Sequence, residues 1–292
     1  MRLVTHTITD AETLSFSSYK YSVFKHGDRQ AAMLFAQELA DVIIKNKARI
    51  IINLQYQTRK NKVSVFGAPY NGLKTASSYL AEFVTKYLNM YFQARFKDIE
   101  FVECKISRQH SYTQDYSAMT GEDREAALTS ETFEFVPPVQ ELHEEYCYAL
   151  FIDDILITGA HERRIQELIA RENFILPHDF CYYALLQEGC CEPQFEDYLN
   201  NFAYRRGDQL LAYGVKCRLL REDFLPNTRV IKRLLTLSEV HLASLLEELT
   251  HWQLQLLLDS AKLNGYHIHE TYKKNYHTIV TKIKYEFRLT EK

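Results

Sequence analysis

The chain has 292 residues and a formal net charge of −3, with 46% hydrophobic and 25% charged residues. This balance is typical of a folded protein with a buried core and excludes a largely disordered chain. Without an overall positive charge, a general nucleic-acid-binding role is not expected, and the length allows one large domain or two small ones.

Cysteine usage and the apolar stretches indicate the compartment. The sequence has 6 Cys residues, no Cys-x-x-Cys pair and no visible secretory leader, so we expect free thiols in a reducing cytoplasm. The longest apolar stretches, around 42–54 and 242–258, are interrupted by charged or polar side chains. Neither is expected to span a membrane, and no membrane partner is predicted.

The first hundred residues contain alternating strand and helix patterns, which favour a parallel sheet covered by helices. The predicted elements are an extended segment over 1–28 with strand character at 19–24, a helix over 29–46, and an Ile-rich strand over 49–54. They continue with a strand over 63–66, a helix over 74–92 and a strand over 99–104.

Two segments of this half are candidates for binding. The connection 67–76 joins a strand to a helix, and its Gly and Asn residues suit backbone contacts to an anion. Residues 105–131 are polar and lack sustained periodicity, and a loop of that length in a compact domain is usually functional or disordered.

The stretch 148–161 organises the chain. Residues 148–152 form an apolar run that predicts a strand buried on both faces, and Asp153 and Asp154 are expected where it ends. Thr158 and Gly159 then precede a helical pattern over 160–172, which is followed by a strand at 180–186. A helix start offers backbone N–H groups and a positive dipole end, while carboxylates accept hydrogen bonds from sugar hydroxyls and bind Mg2+.

At these residues the chain resembles the type I phosphoribosyltransferases, whose signature is an apolar strand, two acids, three spacer residues and Thr-Gly. Asp153, Asp154, Thr158 and Gly159 match. The resemblance implies binding of phosphoribosyl pyrophosphate, with both aspartates on the ribose and on Mg2+. It implies a 5′-phosphate cradle at Thr158, Gly159, Ala160 and His161.

The chain departs from the family pattern at positions that, by the resemblance, lie near the bound ligand. Ile157 stands where a polar residue is usual near the nucleobase, and His161 stands where Thr or Ser is common. In the connection 67–76, Tyr70 replaces a frequent Arg and Asn71 replaces a Gly. The resemblance implies that this connection faces pyrophosphate through Tyr70, Asn71, Gly72 and Lys74.

The polar stretch 105–131 matches the mobile catalytic loop of the family in position. Lys105, Arg108 and His110 have a spacing similar to the Lys-x-x-Lys-x-His of orotate phosphoribosyltransferases. Thr113-Gln114 followed by Arg124 is similar to the ComF-like branch. The resemblance therefore implies that catalytic cations come from Lys105, Arg108, His110 and Arg124.

The C-terminal hundred residues have a helical character. Helical patterns cover 194–206 and 229–264, with Ser238 as an N-cap and Gly265 as a stop. The Leu-rich part, 238–263, predicts a long helix that packs in a core together with Trp252. The charged segment 266–292 is expected to be a solvated face, and its His residues lack the spacing of a metal site.

The fold predicted from these patterns is α/β, with a parallel sheet flanked by helices and a helical C-terminal extension or hood. The expected parts are an N-terminal hood or extension at 1–48, a phosphoribosyltransferase-like core at 49–190 and a helical region at 191–292.

Three functions stay open. The first is an enzyme that uses Mg2+ and phosphoribosyl pyrophosphate to modify a base-like small-molecule acceptor. The second is a non-catalytic regulator that binds the same ligand, and the third is a helical interaction protein with an α/β scaffold. The resemblance leaves open whether the chain forms a homodimer.

Overall fold

The computed structural model describes residues 1–56, 61–96, 99–109, 132–190, 194–205, 207–220 and 223–290. The strands are β1 (Arg2–Ile8), β2 (Lys62–Phe66), β3 (Glu100–Gln109), β4 (Thr132–Val136), β5 (Tyr146–Leu156) and β6 (His178–Leu186). The first helices are α1 (Ser18–Lys25), α2 (Arg29–Lys45), α3 (Ala48–Tyr56), α4 (Ala76–Gln93), α5 (Val139–Glu145) and α6 (Ala160–Arg171). The later ones are α7 (Phe195–Asn201), α8 (Asp208–Leu220), α9 (Thr228–Leu235), α10 (Glu239–Leu246), α11 (His251–Leu263) and α12 (Glu270–Thr290).

The described strands form one six-stranded sheet in the order β1-β6-β5-β2-β3-β4. All neighbours are parallel except β3 and β4, which are antiparallel. Parallel strands connected by helices need both faces of the sheet covered. The predicted α/β class is therefore confirmed.

The strand β5 lies inside the sheet because its sequence supplies an almost unbroken apolar run. Ten of its eleven residues are buried. One face packs into an aromatic cluster, in which the rings of Phe66, Phe151 and Phe180 stack at centroid distances of 5.1–5.2 Å. The burial of these rings fixes the register of β5 against β2 and β6.

The chain divides into two compact units, and each contains separate segments of sequence. The sheet unit comprises Met1–Ser17, Ala32–Tyr70 and Ser77–Asp197. The helical unit comprises Ser18–Ala31, Asn71–Ala76 and Tyr198–Lys292. These boundaries differ from the predicted division at 48 and 190, because β1 pairs with β6 in the sheet and α1 belongs to the helical unit.

Two predicted strands near the N-terminus were wrong. Residues 19–24 lie in α1, and residues 49–54 lie in α3. In α3 the less exposed residues are Ile50, Ile51, Asn53 and Leu54, whereas Ile52 is 49% exposed, which is the pattern of one helix face. A run of Ile residues fits a strand equally well, so tertiary burial decided between the two.

The predicted long helix over 238–263 is two helices, α10 and α11. Thr250 begins α11 with a capping box: its side chain accepts from the Gln253 N–H, and the Gln253 side chain accepts from the Thr250 N–H. Trp252, in the first turn of α11, is 61% exposed, so its predicted core position was wrong. The Ser238 N-cap is confirmed, since its side chain accepts from the His241 N–H.

Residues 105–109, which were predicted to begin a polar loop, belong to β3 and pair with β4. The rest of that predicted loop, 110–131, lies outside the described residues. The charged tail is also ordered as α12. None of the described helices combines the length and apolar character that crossing a membrane requires.

Candidate functional site

The order of the strands indicates where on the sheet a ligand is expected to bind. From β2 the chain continues to its neighbour β3, whereas from β5 it continues to β6 on the opposite side. Connections therefore diverge between β2 and β5, and ligands of open α/β sheets bind beyond the carboxyl ends of the strands at such a point. The segments beyond these two ends within the sheet unit are 67–70 and 157–161.

The two aspartates lie within β5 and not beyond it, because the strand continues through Ile155 and Leu156. Successive strand residues face opposite sides of a sheet, so Asp153 and Asp154 point to opposite faces. The expectation that both follow the end of the strand was wrong. The strand is longer than expected because the apolar residues Ile155 and Leu156 continue its buried pattern.

Asp153 is partly accessible to solvent near the carboxyl end of β5. Its side chain is 16% exposed, and its Oδ1 accepts a hydrogen bond of 2.9 Å from the Asp154 N–H. Its Oδ2 lies 3.7 Å from Nδ1 of His161, whose side chain is 32% exposed. Asp153 and His161 therefore form one polar group at the start of α6.

Asp154 has a different environment. The residue is only 4% exposed, and Ser77 Oγ in α4 donates a 3.0 Å hydrogen bond to its Oδ1. A buried carboxylate requires such donors to remain stable. The neighbouring Ser78 donates to the Ala68 carbonyl, so the start of α4 is bonded both to β5 and to the segment after β2.

The turn between β5 and α6 is the segment for which the resemblance implies a phosphate cradle. Gly159 is the N-cap of α6 with φ of 70°, and the exposed Thr158 precedes it. Thr158 Oγ1 accepts a 3.4 Å hydrogen bond from the Ala160 N–H. Ile157 is partly buried beside this turn. The first N–H groups of α6 have no partner within the helix itself, which is the property that oxyanion sites use.

Gly159 provides a test of this turn. A Cβ at Gly159 would lie 3.5 Å from the nearest atom, so it would fit without a clash. Gly159→Ala should therefore lower the free energy of unfolding only because alanine disfavours the left-handed φ, by about 1 kcal/mol. Gly189 has φ of 80° with no atom within 4 Å of a built Cβ, so Gly189→Ala is the matched control. Urea unfolding should show similar losses. If the turn holds the 5′-phosphate that the resemblance implies, only Gly159→Ala should weaken the binding of ribose 5-phosphate. Equal binding by both variants would contradict a phosphate role for the turn.

Tyr70 and Lys105 meet beside the second half of β3. The Tyr70 N–H donates to the Ile106 carbonyl at 3.2 Å, and the Arg108 N–H donates to the Tyr70 carbonyl at 3.2 Å. Lys105 Nζ lies 4.6 Å from the centre of the Tyr70 ring, and partial burial lowers the pKa of Lys105. Lys105 and Arg108 are three residues apart in a strand, so they face opposite sides. His110 and Arg124 lie outside the described residues.

The other residues predicted to face pyrophosphate belong to the helical unit. The N–H groups of Gly72 and Leu73 both donate to Oδ1 of Asn264, at 3.1 and 2.8 Å. The Lys74 carbonyl accepts from the Thr228 N–H at 3.2 Å, and Asn71 is exposed. The structure therefore divides the predicted site residues between the two units.

A family model described as PRTase ComF-like, for ComF-like phosphoribosyltransferases, matches residues 1–279. The chain belongs to this family. The match covers far more than the 50–190 segment in which the sequence motifs lie, and it includes β1, all helices up to α11 and the first half of α12. A comparison with curated proteins found no match.

Mg2+ fits one of the two aspartates of this ComF-like chain. Mg2+ is commonly held by one or two carboxylates together with substrate phosphates and water. Asp153 presents a partly exposed carboxylate, whereas the Asp154 carboxylate is buried against Ser77. Among the described residues there is no group of three or more His, Cys, Asp or Glu side chains that could hold a metal unaided.

Arg163 and Ser77 were missed from the sequence. The Arg163 guanidinium donates a 2.8 Å hydrogen bond to the Thr158 carbonyl, which places a positive charge beside the turn. The sequence does contain a signal for Arg163, because a basic residue near the start of a helix is unfavourable to the helix dipole unless an anion is near. Ser77 was harder to identify, since its partner Asp154 is 77 residues away.

Proposed function

We propose that this chain binds phosphoribosyl pyrophosphate with Mg2+ and transfers its phosphoribosyl group to a small base-like acceptor, releasing pyrophosphate. The observation that carries the proposal is the combination of the accessible Asp153 with the Gly159 turn at the carboxyl end of β5. Membership of the ComF-like family supports the reaction class.

Each residue of this group has a distinct proposed role. Asp153 would accept hydrogen bonds from the ribose hydroxyls, and the turn from Thr158 to His161 would hold the 5′-phosphate. Arg163 would add positive charge near that phosphate. Asp154, bonded to Ser77, would keep the end of β5 in place without touching the ligand.

The chemistry needs stabilisation of separated charge. Positive charge develops at the anomeric carbon while negative charge grows on the leaving pyrophosphate, so fixed donors and exclusion of water lower the barrier. Bound Mg2+ would supply positive charge to the pyrophosphate from a position beside Asp153. Lys105, next to Tyr70, is the cation that we propose for the leaving group. Arg108 faces the other side of β3, and the predicted His110 and Arg124 lie outside the described residues.

A non-catalytic ligand-binding regulator is the second candidate, and one observation favours it. The N–H group of Gly72, which the resemblance implies faces pyrophosphate, already donates to Asn264, as does the N–H group of its neighbour Leu73. A protein whose leaving-group donors are occupied binds the sugar phosphate more readily than it turns it over.

Turnover separates the two candidates. We expect the full chain with Mg2+ and phosphoribosyl pyrophosphate to release pyrophosphate when a panel of purines, pyrimidines and heterocyclic acids is supplied. The control lacks the acceptor, and the Asp153→Asn variant provides the matched background. Saturable ligand-dependent stabilisation without release over the whole panel would favour the regulator. The lack of both stabilisation and release would contradict the proposal.

A further inference from the structure

The connection between Asn71 and Ala76 is bonded to the C-terminal end of α11 within the helical unit. Asn264 follows α11 directly and receives two consecutive backbone N–H groups, from Gly72 and Leu73, on one oxygen. Two consecutive N–H groups that converge on one oxygen are donors that an anion can also use, and we refer to this pair of N–H groups as the nest.

The orientation of the Asn264 side chain follows from its partners. Backbone N–H groups only donate, so the carboxamide oxygen must face them. The carboxamide Nδ2 then donates a 3.1 Å hydrogen bond to Oη of Tyr266, which is buried. Tyr266 therefore holds the oxygen of Asn264 in the nest.

The backbone of the connection also packs closely against the end of α11. A Cβ at Gly72 would lie 2.2 Å from the Leu263 carbonyl oxygen, so only glycine allows this approach. The Leu73 side chain is 5% exposed, and Thr228 bonds to the Lys74 carbonyl. An anion can reach the two N–H groups only if the Asn264 oxygen leaves them.

We infer that Asn264 is a latch on the 71–76 connection, whose carboxamide oxygen occupies the nest that would otherwise hold an oxygen of pyrophosphate. This inference rests on the proposed function, because pyrophosphate is the leaving group of that reaction and the resemblance implies that this connection faces it. Asn264 is then a positioning residue, and binding of the leaving group competes with its two hydrogen bonds.

Pyrophosphate itself is the probe. In calorimetric titrations of the full chain with pyrophosphate and Mg2+, Asn264→Ala should bind about tenfold more tightly, because two competing hydrogen bonds are removed. Asn264→Asp should bind about tenfold more weakly, because aspartate keeps both hydrogen bonds and adds a negative charge in the nest. Asn275→Ala is the matched control, since buried Asn275 bonds the Leu237 carbonyl in the same unit.

If Asn264 only stabilises the fold, the affinities of the two variants for pyrophosphate should follow a different pattern. Asn264→Ala would then lower affinity through loss of order, and Asn264→Asp would bind like the wild type. Either result overturns the latch, as does a failure of every variant to bind pyrophosphate.

Ribose 5-phosphate, titrated into the same variants, separates this inference from the proposed function. Binding of ribose 5-phosphate with no effect of Asn264 on pyrophosphate removes the latch alone. A pyrophosphate response to Asn264 without ribose 5-phosphate binding supports the latch and removes the phosphoribosyl proposal alone.

Discussion

Asp153→Asn should weaken the binding of Mg2+ and phosphoribosyl pyrophosphate by about a hundredfold, because hydrogen bonds to a charged group contribute about 1.5–3 kcal/mol each. The substitution keeps the size of the side chain and one carbonyl oxygen, which can still accept from the Asp154 N–H. Little stability should therefore be lost. Calorimetric titration gives the affinity, and urea unfolding gives the stability.

Asp154→Asn is the matched control for that variant, since it makes the same chemical change one residue further along β5. The Asp154 carboxylate is buried and bonded to Ser77, so we expect a loss of stability with a much smaller effect on affinity. Equal loss of affinity in the two variants would mean that both carboxylates touch the ligand. An unchanged affinity in Asp153→Asn would remove Asp153 from the site.

Glu162→Ala should cause the largest loss of stability among changes near the site, about 3 kcal/mol of unfolding free energy. Glu162 is 4% exposed in the first turn of α6, and four donor atoms reach its carboxylate. They are Arg2 Nε and Nη2, Tyr182 Oη and Gln166 Nε2, at 2.7–3.2 Å. Removing the carboxylate leaves the buried Tyr182 hydroxyl without this acceptor and detaches β1 and β6 from α6.

Glu167→Ala is the control, because Glu167 lies in the same helix with a 60% exposed side chain paired to Arg164. A surface pair of this kind contributes about 0.2–1 kcal/mol. Urea unfolding should therefore separate the two variants clearly. Similar values for both would show that the Glu162 network does not hold α6 on the sheet.

The parts of the fold that the sequence predicted depend on local signals. The apolar run of β5, the glycine at 159 and the helical spacing after it lie within about 25 residues, so a strand, a turn and a helix could be read in order. The Ser238 cap and the stop at Gly265 are equally local, and Gly265 has φ of 70°.

The errors arose where burial or a distant residue decides. The Ile-rich segment of α3 carries both strand and helix signals, and only its one-sided burial selects the helix. The burial of Asp154 depends on Ser77, and the state of the Gly72 and Leu73 amides depends on Asn264, 191–192 residues away. No periodicity within a segment reports such contacts.

A crystal structure of the full chain with Mg2+ and phosphoribosyl pyrophosphate tests the central claim most directly. We predict the 5′-phosphate against the backbone N–H groups from Gly159 to His161, with the ribose hydroxyls bonded to the Asp153 carboxylate. A ligand bound elsewhere, with Asp153 still paired to His161 and the turn unoccupied at saturating ligand, would contradict the proposed site.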